Sequence, residues 1–381
     1  LGPRQAGKTT LGLHVCEELI KQDKWENLLY LNCDYFEIRD WLNEFPSIQS
    51  IFGELTIKKP ILFIDEVQRL ENPGLFLKTL VDQRAPIKIM ATGSSQLEIK
   101  SKVREFLTGR QLESHILPLS HDEVPSNESL SNLLLYGCYP KVVLSKEKRL
   151  ILSQLYNDYI NKDIVQILKI GMPDLFQKMV GLLAHSSGQL LNVNQLATDC
   201  RMSATTINHY LSVLENTYII FPIKPFVGNK RTELISNPIC YFLDNGFRNQ
   251  ALFNFNELPY RTDAGLLVEN YIFQEVYKFK NQHYATFTIS YWRTKGGAEV
   301  DFVLHQDNQD VLPIEVKYRH FDRPTISRGF RSFISAYQPK EGIIITKDYL
   351  DSLVIDNCSI HFIPITQPHK LRNILEKCFV K

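Results

Sequence analysis

The chain has 381 residues, with 43 Lys and Arg against 42 Asp and Glu and a formal net charge of +1. At about 100–200 residues per domain, that length predicts two to four domains. Its 44% hydrophobic and 22% charged content is that of a folded globular protein, and the balanced charge excludes a generally basic nucleic-acid coat or an acidic tail.

In residues 1–119, short apolar runs at 27–33, 61–65 and 87–93 alternate with helical periodicity. Strands that are apolar on both faces and separated by helices predict a parallel sheet in an α/β layer. Ahead of them, Gly2-Pro3-Arg4-Gln5-Ala6-Gly7-Lys8-Thr9 fits GxxxxGK[ST] at every fixed position, and Thr10 opens a helical stretch over 10–20. Glycines let such a loop curl its N–H groups toward phosphate oxygens, and the helix dipole favours the anion. Gly2 to Thr10 are therefore the candidate nucleotide-binding residues, with Lys8 reaching the β- and γ-phosphates and Thr9 ligating Mg²⁺. The run Ile61-Leu62-Phe63-Ile64-Asp65-Glu66 delivers an Asp to the carboxyl end of a buried strand. Asp65 would hold Mg²⁺, and Glu66 would act as general base on the attacking water. A neighbouring strand ends in Thr92-Gly93-Ser94-Ser95, which makes Ser94 or Ser95 the candidate to hydrogen-bond that water. Arg110, after a Gly turn, is a candidate phosphate contact in its own subunit or a neighbour's.

Residues 120–259 read as mainly helical, ending in a β-rich stretch near 218–226 and 239–243. Within them, a helix over 194–200, a turn at Arg201-Met202 and a helix over 204–218 capped by Ser203 predict a helix–turn–helix, with the following strands as a wing. From Ser203 to Tyr218 there is no Lys or Arg, and His209 is the sole potentially basic residue. A structural lid is therefore favoured over a reader of DNA bases, although Lys224, Lys230 and Arg231 leave phosphate contact open. Residues 260–381 read as helix (264–280), three strands (286–293, 299–305, 311–317), helix (325–337) and a last strand (342–346).

Seven cysteines without a CxxC pair indicate neither a disulfide framework nor a zinc ribbon, which fits a reducing cytosol. No apolar run approaches the roughly 18–20 residues needed to span a bilayer, and no signal peptide is visible. The expected location is cytoplasmic, with no membrane partner. The chain does not begin with Met and opens inside the loop motif, which predicts a fragment lacking its true N-terminus.

These motifs in series resemble a family of prokaryotic AAA-type ATPases with an extra C-terminal domain of unknown function. The pieces are the loop, LFIDEVQRL (62–70), ATGSS (91–95), LTGR (107–110), LPLSHDE (117–123), YGCYP (136–140), YNDYINKDI (156–164), FLDNGFRN (242–249) and ISYWRTKGGAEVDFVL (289–304). They cover nearly the whole chain. Cys138-Tyr139 departs from the Gly-Phe more usual before that Pro. The resemblance implies ATP binding, hydrolysis and a cytoplasmic location, and no particular substrate. The C-terminal order of elements resembles the restriction-endonuclease-like PD-(D/E)xK fold. That likeness implies Asp301 and Glu315 as Mg²⁺ ligands and Lys317 as the residue that orients or deprotonates water, with Glu269 as a further ligand.

The expected architecture is thus α/β: a P-loop parallel-sheet ATPase core (1–119), a helical and winged-helix middle (120–259) and an α+β restriction-endonuclease-like domain (260–381). Three functions compete: a Mg²⁺-dependent ATP-driven switch acting on the C-terminal domain, an ATP-gated metal-dependent DNA nuclease, and an ATP-binding scaffold with little turnover. Glu66 argues against the third, and Asp301, Glu315 and Lys317 keep the second open. The expected ligands are ATP and Mg²⁺. DNA, a second copy of the chain in a homo-oligomer and a partner protein are the candidate partners.

Overall fold

The computed structural model describes residues 1–53, 59–93, 109–166, 170–226, 237–306 and 310–380. They divide into two compact units, Leu1–Pro118 with Asn216–Tyr218, and Leu119–Glu215 with Ile219–Lys381.

The first unit is built on three parallel strands, β1 (Asn27–Asn32), β2 (Pro60–Asp65) and β3 (Lys88–Ala91), in that spatial order. Every residue of β2 is buried, as a central strand covered on both faces requires. Its period of two sorts the side chains. Ile61 and Phe63 pack with Cys16 of the helix Lys8–Lys21. Leu62 and Ile64 pack on the other face with Phe76 and Leu80 of the helix Pro73–Asp82. Asp65 shares the parity of Ile61 and Phe63, so the strand delivers its carboxylate to the face that carries the Lys8 helix.

The second unit opens with helices, among them Leu130–Tyr136, Lys148–Asn157 and Pro173–His185. The helices Val193–Cys200 and Ala204–Asn216 follow, and Ser203 caps the latter by accepting the Thr206 N–H at 3.1 Å. Strands β4 (Ile220–Pro225) and β5 (Ile239–Phe242) then form an antiparallel pair, to which Leu190 adds a bridge opposite Ile239. After the helix Ala264–Gln282 come β6 (Thr288–Arg293), β7 (Glu299–Gln306), β8 (Asp310–Lys317), β9 (Glu341–Thr346), β10 (Asp351–Ile355) and β11 (Cys358–Pro364). Together β4 to β11 make one mixed sheet of order β10-β11-β9-β8-β7-β6-β4-β5.

One sheet takes strands from both sides of residue 259, because β4 runs parallel to β6 and pairs Lys224 with Ser290. One expectation changes here. The strand near 342–346 is not the last. A hairpin and the helix Pro368–Phe379 follow it, and the hairpin turns at Asp356-Asn357, both in the left-handed region at φ 48° and 65°. Asp and Asn tolerate that region better than most residues, which suits a two-residue hairpin turn.

Candidate functional site

The loop at the head of the Lys8–Lys21 helix takes the shape its glycines permit. Gly7, the N-cap, has φ 91°, and Gln5 is also left-handed at φ 58°. A Cβ on Gly2 would stand 1.9 Å from the carbonyl oxygen of Ile116. The backbone of Ala6 closes onto Pro3, its N–H donating to the Pro3 carbonyl at 3.4 Å. Lys8 is buried, and its ammonium also donates to the Pro3 carbonyl, at 2.8 Å. Burial pulls its pKa below that of an ordinary lysine, more than Glu66 and Asp65 raise it, and Arg4 adds to the lowering. A buried cation next to a curled loop at a helix N-terminus suits an anionic phosphate, whose charge would offset that desolvation. Gln5 and Thr10 face solvent.

Three hydroxyls converge on Asp65. Thr9 donates to Oδ2 at 2.7 Å, Tyr30 donates to Oδ2 at 2.9 Å, and Thr92 donates to Oδ1. The register explains the convergence, because Tyr30 pairs with Phe63 on β1, and Thr92 follows the end of β3 on the other side. Burial, together with Asp65, pushes the Tyr30 phenol up to about 12, so it stays a donor. The Thr9 hydroxyl and the Asp65 carboxylate are hard oxygen donors 2.7 Å apart, a fit for Mg²⁺ with water and phosphate oxygens completing its shell. Glu66 sits in the left-handed region at φ 52°, and its carboxylate accepts a hydrogen bond from Gln68. Sequence reasoning missed Tyr30 and Thr92. Ser94, the expected partner of the water, lies with Ser95 outside the described residues. Arg110 pairs with Asp82 at the C-terminal end of the Pro73–Asp82 helix, and no described contact joins it to Lys8, Thr9 or Asp65.

A second polar cluster lies on β7 and β8. Phe302 pairs with Ile314, and the same register carried one step sets Asp301 opposite Glu315. Asp301 accepts the Val316 N–H at 2.7 Å, and Lys317 reaches Glu315 at 3.0 Å. Ser327 donates to the other Glu315 oxygen at 3.0 Å, and its hydroxyl also accepts the Phe330 N–H at 3.0 Å to cap the following helix. Glu269, from the helix Ala264–Gln282, accepts the Tyr241 hydroxyl at 2.6 Å. Burial and then Asp301 push Glu269 well above the usual carboxylate range. Burial, resisted by Lys317, leaves Asp301 at about 6. For Lys317 burial works downward, but Asp301, Glu315 and Glu269 outweigh it and raise its pKa. Glu269, Asp301, Glu315 and Lys317 thus act on one another electrostatically. Among the described residues, no group of three or more His, Cys, Asp or Glu side chains is arranged to hold a metal ion. All seven cysteines are free thiols.

A family model described as an AAA domain matches residues 1–125, which hold the loop, Asp65 and Glu66. That match supports a nucleotide-binding, ATPase-like protein. Two further models, both described as domains of unknown function (DUF8612 and DUF4143), match residues 127–258 and 264–367. The chain is 25% identical over 385 residues to an uncharacterized protein of Haemophilus influenzae, covering 95% of this chain and 92% of that one. An uncharacterized protein of Methanocaldococcus jannaschii is 23% identical over 344 residues, covering 82% and 73%. A solved assembly of Thermococcus gammatolerans McrB AAA+ hexamers with bound McrC is similar at 10% identity and a TM-score of 0.26, covering 73% of this chain and 75% of that one. So loose a likeness carries no argument. Among the described residues, no helix is long and apolar enough to cross a membrane.

Proposed function

We propose that the chain binds ATP with Mg²⁺ at the Lys8 loop, hydrolyses it, and uses its nucleotide state to control the C-terminal region (260–381). The observation that carries this reading is the 2.7 Å hydrogen bond from Thr9 to Asp65, which ties the loop to the acidic strand end. Lys8 would neutralise the β- and γ-phosphates, Thr9 and Asp65 would hold the metal, and Glu66 would take the proton of the attacking water. Mg²⁺ supplies charge neutralisation at the transferred phosphoryl group. Arg110 remains the proposed phosphate contact, in its own subunit or a neighbour's, and Ser94 remains the proposed partner of the water. The test is equilibrium binding of ATP in Mg²⁺. Lys8→Ala is expected to weaken it by about 10- to 100-fold, the loss of one charged hydrogen-bond partner. An unchanged affinity would remove the loop from the site.

A second reading, of an ATP-gated metal-dependent nuclease with DNA as its partner, is favoured by the cluster of Asp301, Glu315, Lys317 and Glu269. The helix–three strands–helix–strand order supports a restriction-endonuclease-like assignment for this part. The helices Pro173–His185, Val193–Cys200 and Ala204–Asn216, the bridge at Leu190 and the β4–β5 pair support a winged helix ahead of it. In that reading Asp301 and Glu315 hold the cation and Lys317 orients the water. Cleavage of plasmid DNA in Mg²⁺ or Mn²⁺, lost in Lys317→Ala, is the expected result. Wild-type protein that binds the metal and leaves DNA and RNA intact would refute it.

A further inference from the structure

Thr92 occupies a position that neither the loop motif nor the acidic strand motif includes. Its backbone brackets the acidic pair: its N–H donates to the Ile64 carbonyl at 2.9 Å, and its carbonyl accepts the Val67 N–H at 2.9 Å. Its hydroxyl does two things between those anchors. It donates to Oδ1 of Asp65, and it accepts the N–H of Glu66 at 3.3 Å. One side chain is therefore bonded to the carboxylate of the first acid and to the backbone of the second. Glu66 needs such a hold, because it is a β-carbon-bearing residue in the left-handed region at φ 52°. The direction of its side chain depends on that backbone conformation. Asp65, for its part, has its other oxygen committed to Thr9 and Tyr30, so the Thr92 bond sets the rotation of the carboxylate plane.

We propose that Thr92 is a positioning residue for hydrolysis, whose hydroxyl locks the Asp65 carboxylate and the Glu66 backbone into one arrangement. The proposal rests on the reading of this site as an ATPase. It assigns to Thr92 a role distinct from that of Ser94: Thr92 acts through the two acids it is bonded to. A positioning role predicts a loss in turnover without a matching loss in binding. It also predicts that the hydroxyl, and not the shape of the side chain, is what counts.

The test compares Thr92→Val, which keeps the branched shape and removes the hydroxyl, with Thr92→Ser, which keeps the hydroxyl. In the full protein, Thr92→Val is expected to lower the ATP turnover number by about 100-fold, the usual loss when a reacting group is misplaced by an ångström. Affinity for a fluorescent ATP analogue in Mg²⁺ is expected to change by less than about threefold, because uniform binding is untouched. Without nucleotide, hydrogen exchange at the Glu66 amide is expected to quicken by about tenfold or more, because its acceptor is gone. Thr92→Ser is expected to restore all three. Turnover of Thr92→Val at the wild-type rate, an affinity loss as large as the turnover loss, or Thr92→Ser as impaired as Thr92→Val would each overturn the proposal. If the wild-type protein binds ATP and does not turn it over, the ATPase reading fails. The exchange measurement then still decides whether Thr92 holds Glu66: unchanged exchange in Thr92→Val means it does not.

Discussion

Asp263 is the shared partner of two buried cations in the second unit. It accepts Arg248 at 3.0 Å and Arg261 at 2.8 Å, and both guanidinium groups are buried. Burial alone would raise the Asp263 pKa, but Arg261 and Arg248 outweigh it and hold the carboxyl at about 2. Its folded pKa lies below the unfolded value of about 4, so its contribution is present above that value and fades as pH falls toward 2. Asp263→Asn, which takes the shared carboxylate from two buried cations, is expected to cost about 3–5 kcal/mol in urea unfolding at neutral pH. The gap between variant and wild type should narrow between about pH 4 and pH 2. A gap that stays constant with pH would remove the charge from the explanation. At this scale the loop motif and Asp65-Glu66 were legible, because each chemistry needs a fixed residue at a fixed spacing. Tyr30 and Thr92 were not, because a hydroxyl on a strand means nothing until the order of strands puts it beside Asp65.

Among the elements, the segments YGCYP and FLDNGFRN served the sequence as family markers, and the structure gives them a physical task. Asp244 caps the helix Asn245–Leu252 by accepting the Phe247 N–H at 3.2 Å, and accepts the Cys138 N–H at 2.7 Å. Asn249 donates to the carbonyls of Leu134 and Leu135 at the end of the helix Leu130–Tyr136. The two helices meet so closely that a Cβ on Gly246 would stand 2.1 Å from the Tyr136 carbonyl oxygen. Gly246→Ala is therefore expected to destabilise the protein by about 2–4 kcal/mol, measured by chemical denaturation. A loss below about 0.5 kcal/mol would show that the contact can relax. The helix Ala204–Asn216 buries Ile207, Tyr210, Val213 and Leu214 and exposes Thr205, Asn208 and His209. An uncharged face lacks the cations that anchor a recognition helix on phosphate, so Asn208→Ala should leave any DNA footprint in place. A footprint that shifts with this substitution would make the helix a base reader. Helix positions and the Ser203 cap followed from local pattern. The β10–β11 hairpin had a local signal in Asp356-Asn357 that the reading overlooked. The parallel pairing of β4 with β6 had none, because it joins residues far apart in sequence and depends on packing.

For the whole molecule, pattern alone made the parallel-sheet front legible. That one sheet takes strands from both sides of residue 259 was not legible, because it depends on the pairing of β4 with the distant β6. The acidic cluster on β7 and β8 offers a thermodynamic test apart from cleavage. If Asp301 and Glu315 hold a cation, Mg²⁺ or Mn²⁺ without nucleotide should raise the melting temperature by mass action. Asp301→Ala should abolish most of that rise, and Lys8→Ala should not. A rise insensitive to Asp301 would place the ion elsewhere. The proposed turnover of ATP through Glu66 is tested by steady-state hydrolysis by wild type and Glu66→Gln, with nucleotide affinity measured in parallel. The expected result is hydrolysis at least about 100-fold slower in Glu66→Gln, the contribution of a general base, with ATP affinity retained. Equal rates in the two proteins would contradict the account.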